Sequence, residues 1–430
     1  MAFAFSAFVV VGCSGSDDSA SAPSESAPTA LSSATGSADL RDELELTFTP
    51  VIGSFIGDET APVLGSDGQW HVVYEVMLTN ARTVPASINS LSVLDFDDTE
   101  RELASFSADE LTATQLSVRP RDAATLEPDG ETLAADDDVL EPNESMLVFI
   151  ELTFASEAEV PDRIVHRLIG EGATNPGSTE PAPIEYLMVP WDISTRTTPV
   201  IGPPLEGDNW VVINGCCSVA GAHRPAVQTV NGALIDSQRF AIDWMQIGDN
   251  GMFFDGDPED VESWHNYGAP VLAVADGTVV EVVDELPDQV VGTLPDPATI
   301  TLETVDGNHV ILDLGNGVHA FYAHLKEGSV AVEVGDKVSA GQQLGDLGNS
   351  GNTSAPHLHL HLMNGPSALG SDGVPMTFDD FAYVGGLDPE QWATGTDALD
   401  DVWTIVDTQA ASDRAQELPL DLSIINFGAE

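Results

Sequence analysis

Residues 357–361 read His-Leu-His-Leu-His, and this alternation limits the local fold more than any other stretch of the chain. In a β-strand, side chains two apart share a face, about 7 Å per step, so three of the ten histidines project together. Neutral imidazole binds zinc and also titrates near neutrality, so one face can carry a metal ligand beside a proton-transfer group. The plain alternative is the polar face of a half-buried strand, which would draw on Thr, Lys, Glu and Ser as well. Two further runs have period two. Val72, Tyr74, Val76 and Leu78 share one side of residues 70–80, and Met146, Val148, Ile150, Leu152 and Phe154 share one side of residues 146–154. Loops rich in acid, Gly and Pro separate them, which predicts an antiparallel, immunoglobulin-like β-sandwich. The fold class expected is mainly β.

Lys plus Arg number 13 against 71 Asp plus Glu, a formal net charge of −58. One-signed charge at this density opposes compaction unless salt screens it, so a saline habitat is expected. Clustered Lys and Arg are missing, which excludes nucleic acid and anionic membrane surfaces as partners. Hydrophobic residues make up 42%, including 16 Phe and 7 Trp, enough for sizeable cores.

Upstream of the histidine run lie five short patterns in order: Gly268-Ala269-Pro270-Val271, Ala275 to Val280, Tyr322-Ala323-His324-Leu325, Val334-Gly335-Asp336-Lys337-Val338, and Gly341 to Gly345. With Pro356-His357-Leu358-His359, this order resembles the lysostaphin-like (LytM-type) zinc metallopeptidases over roughly residues 220–385. The resemblance implies a catalytic domain of antiparallel sheets with one zinc ion in an open cleft. It also implies a zinc-dependent endopeptidase that hydrolyses peptide bonds of bacterial cell-wall peptidoglycan.

Carried over by motif, His357 and His324 are the catalytic pair and His359 is a zinc ligand. Zinc lowers the pKa of water and polarises a carbonyl, while nearby imidazoles accept the proton and stabilise the oxyanion. His361, where many relatives carry an acid, is read as a bystander, with orientation of a neighbour as the other reading. The family's remaining ligands form H-x-x-x-D, but here the segment reads Arg239-Phe240-Ala241-Ile242-Asp243. Arginine has no lone pair to give a metal. Asp243 is kept as a ligand, and His223, ahead of Arg224, is the candidate for the missing nitrogen. That order is similar to a sub-group of the family. His265 is the weaker candidate, and a metal-free site is the remaining reading. With His223, Asp243 and His359 as ligands, the fourth zinc position is open, as in catalytic sites. Arg239 keeps a rival function open: a catalytically silent domain that binds cell wall or regulates another hydrolase. A peptidase for a protein outside the wall is a third reading.

Residues 1–13 read as a signal peptide ending in a lipobox at Cys13, too short to span a bilayer and lacking a basic start. Export to the cell envelope is expected, with attachment to a bacterial membrane through lipidated Cys13. Residues 14–43 are a Ser-, Ala- and Pro-rich tether. The β-sandwich is expected over 44–190, a linker over 191–209, the peptidase domain over 210–390, and an acidic extension over 391–430 whose apolar end returns as a strand. His71 and His166 are taken as isolated strand histidines. Cys216 and Cys217 are taken as two small thiols at a turn, since adjacent cysteines bridge poorly. The acidic loop 248–260 is taken as a solvated insertion rather than a calcium site.

Overall fold

The computed structural model describes residues 40–114, 116–117, 139–219, 221–395, 402–406 and 409–428. Cys13 and the signal segment, with most of the tether, lie outside the described residues. No helix among those described is long and apolar enough to cross a membrane.

The fold is mainly β. In the N-terminal part, strands Val51–Ile56, Trp70–Asn80 and Ser145–Phe154 form one antiparallel sheet. Strands Ala182–Asp192, Arg163–Gly172, Ala86–Asp95 and Glu102–Ser107 form a second. Val72, Tyr74, Val76 and Leu78 from the first sheet meet Leu91, Leu168 and Tyr186 from the second in one core. Two sheets on a shared core make a sandwich, as the alternation predicts. Its strand order by itself does not make it immunoglobulin-like.

Trp70–Asn80 departs from simple alternation, because the opposite face is also covered. Val73 joins the core of the C-terminal part, and Glu75 is fully buried. On the neighbouring strand, Leu147 and Phe149 pack with Val219, Val227 and Leu234. The first sheet is therefore sandwiched twice, once within its own domain and once against the chain that follows.

That following chain builds a large antiparallel sheet. Its central strands run in the order Gly277–Val283, Asn308–Gly315, Val318–Leu325, Leu358–Met363, Ile242–Gln246, Gly207–Ile213, Ser423–Phe427 and Phe381–Leu387. The apolar end of the chain thus returns as a strand, paired on both sides. Within residues 191–209, Trp191 and Asp192 end one strand, Val200–Ile201 pairs in parallel with Thr377–Phe378, and Gly207 starts another. Leu358, Leu360 and Leu362 join Tyr322, Trp244 and Trp210 in the core below the sheet. The pleat sends the residues between them to the other face.

Two expectations need correction. Cys216 and Cys217 form a disulfide with each other rather than two free thiols. The loop after Gly248 is not a purely solvated insertion: its acidic side chains are exposed, but Phe253 and Phe254 are buried in a core with Trp264 and Trp403. Those aromatic side chains anchor the loop to the sheet.

Candidate metal centre

Strand register puts the site together. Asp243 on Ile242–Gln246 lies opposite His359 on Leu358–Met363, and His359 lies opposite Ala323 on Val318–Leu325, one residue before His324. His223 arrives from the loop after Gly207–Ile213. The result is a buried group of His223, Asp243 and His359 whose ligand atoms lie within 4.8 Å of one another. His223 Nε2 is 3.1 Å from Asp243 Oδ2, and His359 Nδ1 is 3.0 Å from Asp243 Oδ1. The two histidine rings stand edge to face, 4.7 Å between centroids. His265 is exposed and does not join them.

Hydrogen bonds to main-chain carbonyls set the tautomers. His223 Nδ1 donates to Asn214 O at 2.9 Å and lies 3.2 Å from Ala241 O, so its Nε2 presents a lone pair toward the carboxylate. His324 Nδ1 donates to Ser350 O at 2.7 Å, and His357 Nδ1 donates to Ala355 O at 2.8 Å. Both therefore turn an unprotonated Nε2 to the site. Their ring centroids are 4.6 Å apart, and His357 Nε2 is 3.4 Å from Asp243 Oδ1. His324 adopts φ of 61°, a left-handed conformation unfavourable for a residue with Cβ. Its N–H donating to Asp306 O at 3.1 Å helps to hold it there.

The charge balance of the group fits a cation. Burial pushes the Asp243 carboxyl up, but His223 and His357 beside it prevail and hold it well below the usual range. Burial resists a charge on His223, yet the neighbouring carboxylate raises its pKa overall. Lone pairs on two imidazoles aimed at one carboxylate need either a proton or a metal ion between them. Burial, resisted by Asp243, lowers His359 to about 4, and burial followed by its histidine neighbours holds His324 well below the ordinary value. His359 is thus a neutral donor of the kind zinc takes, and with His223 and Asp243 it makes up a two-nitrogen, one-carboxylate set.

Two residues outside the expected set support the group. His361 touches a ligand candidate: its Nδ1 lies 2.9 Å from His359 Nε2. If His359 gives its Nδ1 lone pair to a metal, its Nε2–H donates to His361, whose own buried Nε2 has no hydrogen-bond partner among the described residues. Asn214 was not foreseen at all. Its side-chain amide donates to Asp243 Oδ2 at 2.9 Å while its carbonyl orients His223. The Asn214-Gly215 pair directly after an apolar strand is a turn signal that marks this position.

Arg239, at the motif position of the absent histidine, is turned away from the site. It pairs at 2.7 Å with Glu75 from the N-terminal sandwich, and Arg224 reaches the other oxygen of Glu75 at 3.3 Å. His71 also differs from an isolated strand histidine. It lies 2.8 Å from Glu151 and 3.1 Å from Asp67, beside Cys217, whose sulfur is committed to the disulfide.

Residues 261–371 match the model of Peptidase family M23. That stretch contains His324, His357 and His359, while His223 and Asp243 lie before it. The chain is 32% identical over 133 residues to glycyl-glycine endopeptidase ALE-1 of Staphylococcus capitis, covering 31% of this chain and 30% of that protein. It is 42% identical over 57 residues to peptidoglycan DD-endopeptidase ShyA of Vibrio cholerae, covering 13% of each. The matches thus span less than a third of these relatives' lengths. Among solved structures, the catalytic domain of lysostaphin from Staphylococcus simulans aligns at 24% identity and TM-score 0.21, over 34% of this chain and 80% of that one.

Proposed function

We propose that this chain, which carries a domain of peptidase family M23, is a zinc-dependent endopeptidase that hydrolyses peptide bonds of bacterial cell-wall peptidoglycan. The observation that carries the reading is the convergence of His223, Asp243 and His359 beside a second pair of imidazoles with free Nε2 atoms. A silent wall-binding module has no use for such a pair.

His223 through Nε2, Asp243 through its carboxylate and His359 through Nδ1 are the residues that would hold the metal. When bound there, zinc supplies Lewis acidity to a scissile carbonyl and acidity to a water molecule. The protein's own groups do the rest. His357 is partly exposed where His324 is buried, so it is the imidazole that substrate reaches first. Its Nε2 accepts a proton, and its Nδ1–H, fixed on Ala355 O, keeps the ring aimed. His324, anchored on Ser350 O, presents the second unprotonated Nε2 as a further proton acceptor beside His357. His361 and Asn214 hold the ligands in orientation.

Arg239 was the feature that favoured a silent domain. Its ion pair with Glu75 gives it another task, and His223 takes the ligand position. The site of action we propose is the cell envelope, with attachment through a lipid on Cys13.

The test is digestion of purified peptidoglycan by the full chain with zinc at high salt, beside His357→Ala, with released fragments identified by mass spectrometry. New peptide ends from the parent alone support the reading and name the bond. No release by a folded, zinc-loaded parent rejects it.

A further inference from the structure

We propose that a cavity beside the histidine cluster is a subsite for a primary ammonium group on an aliphatic stem of the substrate peptide, with the Asp306 carboxylate as its anchor. The inference rests on the peptidase reading above.

The cavity has a volume of about 300 Å³, and Glu281, Val283, Glu303, Asp306, His309 and Ile311 line it. It adjoins the site on the same face of the sheet. Asp306 O accepts the N–H of His324. The His309 ring is 5.5 Å from the Phe321 ring, which is 5.0 Å from His361 and 6.0 Å from His359. One aromatic ring therefore separates the cavity from the metal-binding residues.

Acidic side chains alone mean little on a chain this acidic, but Asp306 differs from a surface acid. It is only 8% exposed, it faces the cavity, and its carboxylate makes no hydrogen bond or ion pair among the described residues. An unpaired buried carboxylate is costly, and its usual remedy is a cationic partner. Burial pushes its pKa up to about 6, with His309 opposing and Glu281 adding to the rise. His309 acts on Asp306 only through space, because its Nδ1 donates to Gly307 O at 2.9 Å and its Nε2 faces Glu281 at 3.6 Å. No Lys or Arg lines the cavity, so a direct cationic partner for Asp306 is left to a ligand.

The spacing favours ammonium over a metal ion. Among the described residues, the His, Cys, Asp and Glu groups that converge within 4.8 Å are those around His223 and His71, and this one is not among them. Metal ions need short bonds to several ligands at once. An ammonium group has three rotatable donors on a flexible stem, and can satisfy Asp306 and one neighbour without tight convergence. Val283 and Ile311 give the methylenes of that stem an apolar wall.

The test measures binding to the full-length, zinc-loaded His357→Ala variant by fluorescence anisotropy in 1 M salt, which suppresses unspecific attraction to the acidic surface. The probes are N-terminally fluorescein-labelled Ala-Ala-Lys-Ala-Ala and the same peptide with its lysine Nε acetylated. Acetylation is expected to weaken binding about 10-fold, the range of a hydrogen bond to a charged group. Adding Asp306→Asn is expected to abolish the preference, and adding Glu281→Gln instead to reduce it, which keeps the test decisive should the first variant not fold. Equal binding of both peptides, binding of neither, or a preference unchanged by these substitutions overturns the proposal. Peptidoglycan cleavage without an ammonium preference removes the subsite and leaves the peptidase reading standing; the preference without cleavage does the reverse.

Discussion

At the scale of single residues, the site turns on which nitrogen of each histidine carries the proton. Main-chain carbonyls settle this for His223, His324 and His357, but His359 relies on a side chain, His361. Replacing His361 by Ala is expected to weaken zinc binding about 10- to 100-fold, measured by chelator competition, with His361→Gln retaining more because its amide oxygen still accepts from Nε2–H. An unchanged dissociation constant would return His361 to the status of bystander. His166 offers a pH prediction away from the histidine cluster. It donates from Nδ1 to Val189 O and accepts from the Tyr74 hydroxyl, and burial, only partly offset by main-chain hydrogen bonds, lowers its pKa to about 4. The unfolded state takes up its proton near 6.5 and the folded state does not, so this contribution to stability is lost as pH falls from about 6.5 to 4. The loss is about 3 kcal/mol, read as the difference in urea stability between parent and His166→Asn across that range. The residues with a motif, His324, His357, His359 and Asp243, could be read from sequence because their spacing is local. His361 and Asn214 could not, since their roles depend on which atoms face the ligands after folding.

At the scale of elements, the strand Trp70–Asn80 shows how far alternation can be trusted. Val72, Tyr74, Val76 and Leu78 are fully buried as their period predicts, but Glu75 is fully buried as well. A carboxylate inside an apolar run requires a cationic partner, and that signal was available in the sequence. The identity of the partners was not, because Arg224 and Arg239 come from about 150 residues farther along the chain. Removing Glu75 leaves the buried Arg224 guanidinium without a carboxylate partner and Arg239 with Asp236 at 3.7 Å. Glu75→Ala is therefore expected to destabilise the protein by about 3–5 kcal/mol, read by chemical denaturation. A loss below about 1 kcal/mol would mean that water reaches the cluster. The disulfide between Cys216 and Cys217 was unfavourable by the usual separation rule, which describes cysteines placed apart in the fold and not neighbours along the chain.

At the scale of the whole molecule, the described residues lie in one compact unit. The sandwich and the C-terminal sheet share the Glu75 ion pairs and the apolar contacts of Leu147 and Phe149. Unfolding is expected to be a single transition, with fluorescence from the sandwich tryptophans Trp70 and Trp191 lost together with circular dichroism of the whole chain. Two separated transitions would show that the halves are independent. A net charge of −58 on the whole chain should make its unfolding midpoint rise with salt as screening shortens the repulsion. The most direct measurement of the central claim, that His223 replaces the motif histidine in a zinc centre with Asp243 and His359, is elemental analysis of the full chain beside His223→Ala, both checked for native circular dichroism. The account predicts about one zinc per parent chain and none in the variant. Equimolar zinc in a folded His223→Ala protein would contradict it.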